Sequence, residues 1–197
     1  MDDRTALLTT MQAHENRIRQ LLDCTQQLIV PLFQRFYVWE TKYWETLWDD
    51  LIDLIEDDDP NRSHFLGSVV VIPSTDTAPS LPKFILIDGQ QRIATLLVLL
   101  AAIRDYARQT DDPQLAEEIE QTLLVNRFRS GDDYYKLLLS QSDRIAFQHI
   151  VQAQTPRPVH SLCQCYDFYT KKLNRTDVPI LRAVLSAIVD RLAVVTI

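Results

Sequence analysis

The sequence has 197 residues, of which 46% are hydrophobic and 24% charged, so it can bury a core and does not belong to the fibrous or disordered classes. A net charge of -7 argues against broad, sequence-independent nucleic-acid binding, which needs a basic face. Three Gly against nine Pro is unusual for a strand-rich protein, and we therefore expect helices to dominate an α+β fold.

The first 39 residues are predicted to form one helix and one short strand. Apolar residues recur at roughly helical spacing over residues 5–27, which indicates an amphipathic helix. Residues 28–33 form an apolar run rich in branched side chains, and Pro31 within it favours an edge strand or a bulge. Polar and aromatic residues then crowd together in residues 34–39.

A helix and a β-hairpin are predicted next. Residues 40–56 repeat apolar side chains with a helical period, and the acidic residues that follow end this helix. Residues 64–72 and 83–87 have the pattern of two buried strands. A Ser/Thr/Pro-rich loop at 73–82 separates them, and we expect the two strands to pair as a hairpin.

The rest of the chain is predicted to be mainly helical. After a tight turn at Asp88 and Gly89, residues 90–108 have the length and period of a long buried helix. From residue 109 onward the chain is predicted to be all-helical, with helical patterns at 112–125, 142–154, 158–173 and 177–192. Residues 192–197 resemble the beginning of a strand, and we expect the chain to be part of a longer protein.

The passage from the second hairpin strand into the long helix is a candidate anion site. A strand that turns at Asp88 and Gly89 into a helix beginning at Gln90 or Gln91 points free backbone N–H groups and the helix dipole at a ligand. Arg92 lies in the first helical turn, where its charge is unfavourable unless an anion or a carboxylate answers it. Asp88 is a candidate for that carboxylate, for a helix cap or for a ligand of a divalent cation. A purely structural interpretation, with a cap, a turn and a solvated arginine, fits the spacing equally well.

Gln34 and Arg35 form a second group of hydrogen-bond donors. They directly follow the first predicted strand and lie among aromatic residues on which a nucleobase can stack, namely Phe33, Phe36, Tyr37 and Trp39. The alternative is an aromatic core cluster with Arg35 ion-paired or extended along its surface.

Three sequence blocks, in this order, resemble one known family. They are VPLFQRFYVW at 30–39, FLGSVVV at 65–71 and IDGQQRIATL at 87–96. They are similar to the IPxYQRxYxW, FLGSIV and DGQQRLTTL segments of the N-terminal domain family of GmrSD-type, modification-dependent restriction enzymes. Phe33 stands where Tyr is common, and Ala94 replaces the first Thr of LTTL, but neither change removes a charged group. The resemblance continues more faintly to residue 169 and so covers nearly the whole chain.

The resemblance implies a ParB/sulfiredoxin-like domain at 1–108 that binds a nucleoside triphosphate with Mg²⁺, followed by a helical region at 109–197. It also implies control of a C-terminal or separate HNH-type nuclease region and contact with modified DNA through the full-length protein. Carried over position by position, it implies nucleotide-binding roles for Gln34, Arg35, Tyr37, Gly67, Ser68, Gly89, Gln90, Gln91, Arg92 and Thr95. Catalytic roles in hydrolysis would fall to Asp88, Arg92 and Arg35, with Asp88 as the metal ligand.

Two other functions remain open on the sequence. The first is a DNA-recognition module without triphosphate chemistry, with a local basic patch of Arg35, Lys42, Arg62 and Lys83. The second is an interaction protein whose helical half binds a partner subunit, and a homodimer is a further option. The four scattered histidines show no HNH pattern, so we expect no nuclease site in this chain.

Cysteine content and hydropathy predict a cytoplasmic protein without a membrane role. Cys24, Cys163 and Cys165 are an odd number without zinc-site spacing, and the chain shows no cationic and apolar leader. The apolar stretch at 93–103 is too short to cross a bilayer.

Overall fold

A mixed β-sheet runs through the protein, whose computed structural model describes residues 14–22, 25–59, 61–75, 81–155, 157–175 and 178–196. Within these ranges the strands are β1 (His14–Arg17), β2 (Gln27–Ile29), β3 (His64–Pro73), β4 (Lys83–Asp88), β5 (Leu137–Leu138) and β6 (Leu192–Thr196). Their order across the sheet is β1-β6-β3-β4-β2-β5.

Both strand orientations occur in this sheet. β3 and β4 pair antiparallel, as the predicted hairpin, and β1 pairs antiparallel with β6. β6 with β3, β4 with β2 and β2 with β5 are parallel pairs. The predicted α+β class is therefore confirmed.

Helices make up most of the remaining described structure. They are α1 (Ile18–Leu22), α2 (Thr41–Glu56), α3 (Gln90–Gln109), α4 (Pro113–Glu118), α5 (Gln141–Val151), α6 (Ser161–Leu173) and α7 (Val178–Ser186). π-helical turns at Ile119–Leu124 and Ala187–Arg191 continue α4 and α7. α2 and α3 confirm the helices predicted at 40–56 and 90–108. None of the helices in these ranges combines the length and the apolar character that crossing a membrane requires.

α3 is the central element of the core. Every residue from Ile93 to Asp105 is buried, and the helix packs against α4, α5, α6 and α7. Each fully buried leucine along it contributes about 1.5–3 kcal/mol through burial. This packing holds the first turn of α3 in one place, directly after β4.

A buried polar network ties α3 to α5 and α6. The side chain of Arg104 has no exposed surface and donates to Asp105 Oδ1 at 2.9 Å. It also donates to two carbonyl oxygens at the end of α5, those of Ile150 and Val151. Tyr166 of α6 donates to Asp105 Oδ2 at 2.8 Å. Burial, and then the charge of Asp105, raises the pKa of Tyr166 to about 12, so this hydroxyl remains a donor at neutral pH.

The prediction of one helix over 5–27 is wrong for the described part of that segment. Residues 14–17 are strand β1, the helix is confined to α1, and residues 27–29 are strand β2. β1 is a strand because it pairs with β6 near the other end of the chain, a contact that local periodicity cannot reveal. Residues 5–13 and 23–24 lie outside the described residues.

The predicted edge strand at 28–33 is also corrected. β2 lies between β4 and β5, and Pro31 follows its end, so the proline removes no hydrogen bond from the ladder. The hairpin strands are less buried than predicted. Val69 and Leu86 are buried, whereas Phe65 and Ile72 are exposed.

The second half of the chain is mainly helical, but it is not all-helical as predicted. β5 extends the sheet beyond β2, and β6 inserts between β1 and β3. The strand predicted at 192–197 is confirmed for residues 192–196. Strands from both sides of position 108 therefore belong to one sheet. β5 and β6 are short, and the strands with which they pair lie far away in the sequence.

Candidate functional site

A cavity of about 410 Å³ opens where β4 passes into α3. Its walls come from the start of β3, from one face of α2, from the corner at residues 87–92, and from Gln34, Arg35 and Trp39. Of the residues implied by the sequence, Gln34, Arg35, Asp88, Gly89, Gln90, Gln91 and Arg92 line this cavity.

Gly89 makes the backbone turn at the N-terminus of α3. Its φ of 95° is in the left-handed region, which favours glycine. A Cβ atom there would lie 3.1 Å from Val69 Cγ2 and 3.3 Å from the carbonyl oxygen of Ser68. Among the described residues no side chain caps α3, so Asp88 is not the helix cap considered above. The N–H groups of residues 90–92 have no acceptor within the helix, and with the helix dipole they favour an anion.

Arg92 is held in a seat formed by β3 and Asp88. Its Nη2 donates to Asp88 Oδ2 at 3.1 Å, and its Nη1 donates to the carbonyl oxygen of Leu66 at 3.3 Å. The guanidinium occupies the space above Gly67, where a Cβ atom would lie 1.8 Å from Nη1. Ser68 Oγ donates to Asp88 Oδ2 at 3.4 Å. Gly67 and Ser68 thus contact the ion pair of Arg92 and Asp88 but do not line the cavity.

Two glutamines, one on each side, tie the corner to the segment that follows β2. Gln34 Nε2 donates to the carbonyl oxygen of Ile87 at 2.8 Å, and Gln90 Nε2 donates to that of Arg35 at 2.7 Å. Gln90 is buried, and its Oε1 has no hydrogen-bond partner within the described chain. A buried oxygen without a donor is costly, and this one belongs to a residue that lines the cavity.

In the Gln91 side chain, both the oxygen and the nitrogen have hydrogen-bond partners. Its Oε1 accepts from the backbone N–H groups of Val38 at 2.9 Å and Trp39 at 3.3 Å. Its Nε2 donates to the carbonyl oxygen of Phe36 at 3.0 Å. Because all of these bonds serve the backbone of residues 36–39, the side-chain amide of Gln91 shapes the wall of the cavity.

We expect Gln91→Leu to lower the free energy of unfolding by about 1–3 kcal/mol, because it leaves three backbone groups of residues 36–39 without a partner. Chemical denaturation would measure this loss, and amide hydrogen exchange should show faster exchange at Val38. Gln164→Leu, at an exposed position of α6, is the matched control and should stay close to the parent. Equal stability of the two variants would contradict the structural role of Gln91.

Tyr37 and Thr95 lie in the core and do not line the cavity. Trp44 Nε1 donates to Tyr37 Oη at 2.9 Å, and the Tyr37 hydroxyl lies 2.6 Å from Thr95 Oγ1. Thr95 in turn donates to the backbone carbonyl of Gln91 at 2.8 Å. Burial, and to a smaller extent the neighbouring Cys165, raises the pKa of Tyr37 far above its usual range. Both residues are therefore neutral, and their hydrogen bonds hold the backbone of the corner at Gln91.

Arg35 and two aromatic side chains give the cavity a cationic and a flat apolar wall. Arg35 is exposed, and its guanidinium makes no hydrogen bond or ion pair with the residues that the structure describes. The rings of Trp39 and Tyr43 stack at 5.1 Å with an angle of 18° between their planes. A further ring, such as a nucleobase, can extend this stack.

His64 and Asp50 also line the cavity, and sequence reasoning missed both. His64 Nε2 lies 3.3 Å from Asp50 Oδ2, and each side chain is about one-third exposed. A sequence signal did exist for Asp50, because positions 43, 46, 47 and 50 are spaced to share one face of α2, and all four line the cavity.

A metal site made by protein side chains alone is not found within the described ranges, since no group of three or more metal-ligating side chains occurs there. Asp88 fits a shared site, because it is exposed on the cavity wall and its Oδ1 makes no hydrogen bond with the described chain. The remaining ligands of a divalent cation would be ligand oxygens and water. Cys163 and Cys165 are buried in α6, and Cys24 lies outside the described residues.

Comparison with known proteins identifies one family for this chain. No curated protein matches the chain. The family model described as "GmrSD restriction endonuclease, N-terminal domain" matches residues 18–195, which is nearly the whole chain. The chain therefore belongs to the family of GmrSD restriction endonuclease N-terminal domains.

Proposed function

We propose that the cavity binds a nucleoside triphosphate together with Mg²⁺ and that this binding regulates the restriction system to which the domain belongs. The observation that carries the proposal is the N-terminus of α3, which no described side chain caps and beside which Arg92 is held. It faces the same cavity as Arg35, which has no ion pair with a described residue. A volume of about 410 Å³ suits a ligand of this size.

Each wall of the cavity has a part in this binding. The N–H groups of residues 90–92 and the guanidinium of Arg92 bind phosphate oxygens, and Arg35 neutralises their remaining charge. Asp88 Oδ1 holds the cation, which would neutralise the phosphates and orient them. The base stacks on Trp39.

Hydrolysis of the nucleotide would follow from the same geometry. Phosphoryl transfer requires mainly positioning and stabilisation of charge, which the two arginines supply. We propose that nucleotide occupancy then controls a nuclease region in the full-length protein, where contact with modified DNA takes place.

We expect ATP, GTP, CTP or UTP with Mg²⁺, at about 100 times its Kd, to stabilise the protein by about 2.7 kcal/mol. For a chain of this size that corresponds to a rise in Tm of about 5–10 °C. Arg92→Ala should weaken binding about 100-fold, since it removes charge-assisted hydrogen bonds, and the shift should fall to about 1 °C. Asp88→Ala should remove the dependence on Mg²⁺.

Arg182→Ala is the matched control, because Arg182 is exposed, pairs with Asp112 and lies outside the cavity. This variant should keep the full shift in Tm. If no nucleotide stabilises the folded parent protein, or if Arg92→Ala responds as the parent does, the proposal fails.

DNA recognition without a nucleotide has less support. Two members of the basic patch, Arg62 and Lys83, are each paired with an aspartate. Only Arg35 and Lys42 of the four then have no ion pair with a residue that the structure describes, which is little charge for holding a DNA backbone.

A further inference from the structure

We propose that His64 is the general base of this cavity and that Asp50 positions it. The inference rests on the proposed function and deepens it, because it names the group that takes the proton from the attacking water. Its basis is that His64 is the one histidine of the described ranges that lines the cavity, with the carboxylate of Asp50 beside it.

The pair has the arrangement that a general base requires. With His64 Nε2 3.3 Å from Asp50 Oδ2, the carboxylate favours the tautomer that carries the proton on Nε2. Nδ1, which has no partner among the described residues, is then the basic nitrogen. Both side chains line the cavity that also contains Arg92, Arg35 and Asp88.

A purely structural role for the pair is a weaker explanation. Each side chain keeps about one-third of its surface in contact with solvent, and a solvent-screened pair of this kind contributes little to stability. The same region is already tied together by Arg191, which donates to the carbonyl oxygens of Leu54, Asp59 and Arg62.

Several charged groups surround His64. Asp50 and Asp53 come from α2, and Arg62 precedes the strand but is paired with Asp57. Arg191 directly precedes β6, which pairs with β3 at His64. Across the cavity lie Arg35 and the ion pair of Asp88 and Arg92.

The chemical step balances without a further reactant. A water oxygen forms a bond to the terminal phosphorus while His64 Nδ1 takes a water proton. The bond from that phosphorus to the bridging oxygen breaks, and the nucleoside diphosphate leaves with the electron pair. The products are inorganic phosphate and the diphosphate, and His64 returns its proton to solvent.

The test compares His64→Gln and Asp50→Asn with His14→Gln, which removes an exposed histidine of β1 outside the cavity. Phosphate release is measured between pH 5 and 9, and nucleotide affinity is measured by calorimetry. We expect His64→Gln to lower kcat about 100-fold or more while Kd changes less than about threefold. Asp50→Asn should lower kcat less, because it acts through His64.

The pH profile and NMR distinguish a base from a structural residue. The parent's rate should fall on acidification, since a protonated histidine cannot accept a proton, and His64→Gln should lose this limb of the profile. Ring signals of His64 should shift when nucleotide is added, whereas those of His14 should not.

The outcomes separate the two proposals. Parent-like kcat and pH dependence in a folded His64→Gln or Asp50→Asn variant would overturn the role of the pair. Nucleotide binding without any hydrolysis by the parent would overturn it as well, while leaving the binding function intact. Absence of nucleotide binding would overturn both.

Discussion

Replacing Arg104 with alanine is expected to lower the free energy of unfolding by about 3–5 kcal/mol, the usual cost of removing one partner from a buried ion pair. Arg104 is wholly buried and joins Asp105 to the carbonyl oxygens that end α5. In its absence, the two carbonyls lose a charged donor and Asp105 loses its buried counter-ion. Urea denaturation, followed by circular dichroism, would measure the change.

Arg108→Ala is the matched control, because Arg108 also reaches Asp105 but is 44% exposed. Arg108 pairs with Asp105 at 3.4 Å and also with Glu120, and because its guanidinium is partly in solvent, each pair contributes less than about 1 kcal/mol. A loss of stability in Arg104→Ala no larger than that in Arg108→Ala would show that the buried network does not hold α3 against α5 and α6.

Replacing Gly67 with alanine is expected to weaken nucleotide binding about 100-fold. The accompanying loss in the free energy of unfolding should be smaller than this loss in binding free energy. The added Cβ atom would lie 1.8 Å from Arg92 Nη1, so the guanidinium must leave its seat. Because the displaced atoms end a long side chain, the strand itself can stay in place. Charge-assisted hydrogen bonds contribute about 1.5–3 kcal/mol each, and losing them at the phosphates accounts for the change in affinity.

The backbone adds a cost that has to be separated from this effect. Gly67 has a φ of +117°, and a non-glycine residue at positive φ loses about 1–2 kcal/mol. Gly131→Ala is the matched control, since Gly131 has a φ of +61° but no atom of the described residues within 4 Å of its Cβ position. It should lose stability and keep nucleotide affinity, which calorimetry would establish. Equal affinity of Gly67→Ala and the parent would contradict the role of Arg92 at the phosphates.

The amino-acid sequence by itself determined the elements whose signals are local. α2 and α3 follow from apolar residues at helical spacing, and the β3–β4 hairpin follows from two apolar runs around a loop rich in turn-forming residues. The corner from Asp88 to Arg92 was predictable because its residues are consecutive, and a strand that turns into a helix always exposes backbone N–H groups.

The tertiary structure decided what depends on residues far apart in the chain. β1 is a strand because it pairs with β6, and the same distant pairing brings the end of the chain into the sheet. The contact of the Arg92 guanidinium with Gly67 and the contact of His64 with Asp50 likewise join residues of different elements. Local propensity carries no information on such contacts, because their free energy is gained only when the core brings the elements together.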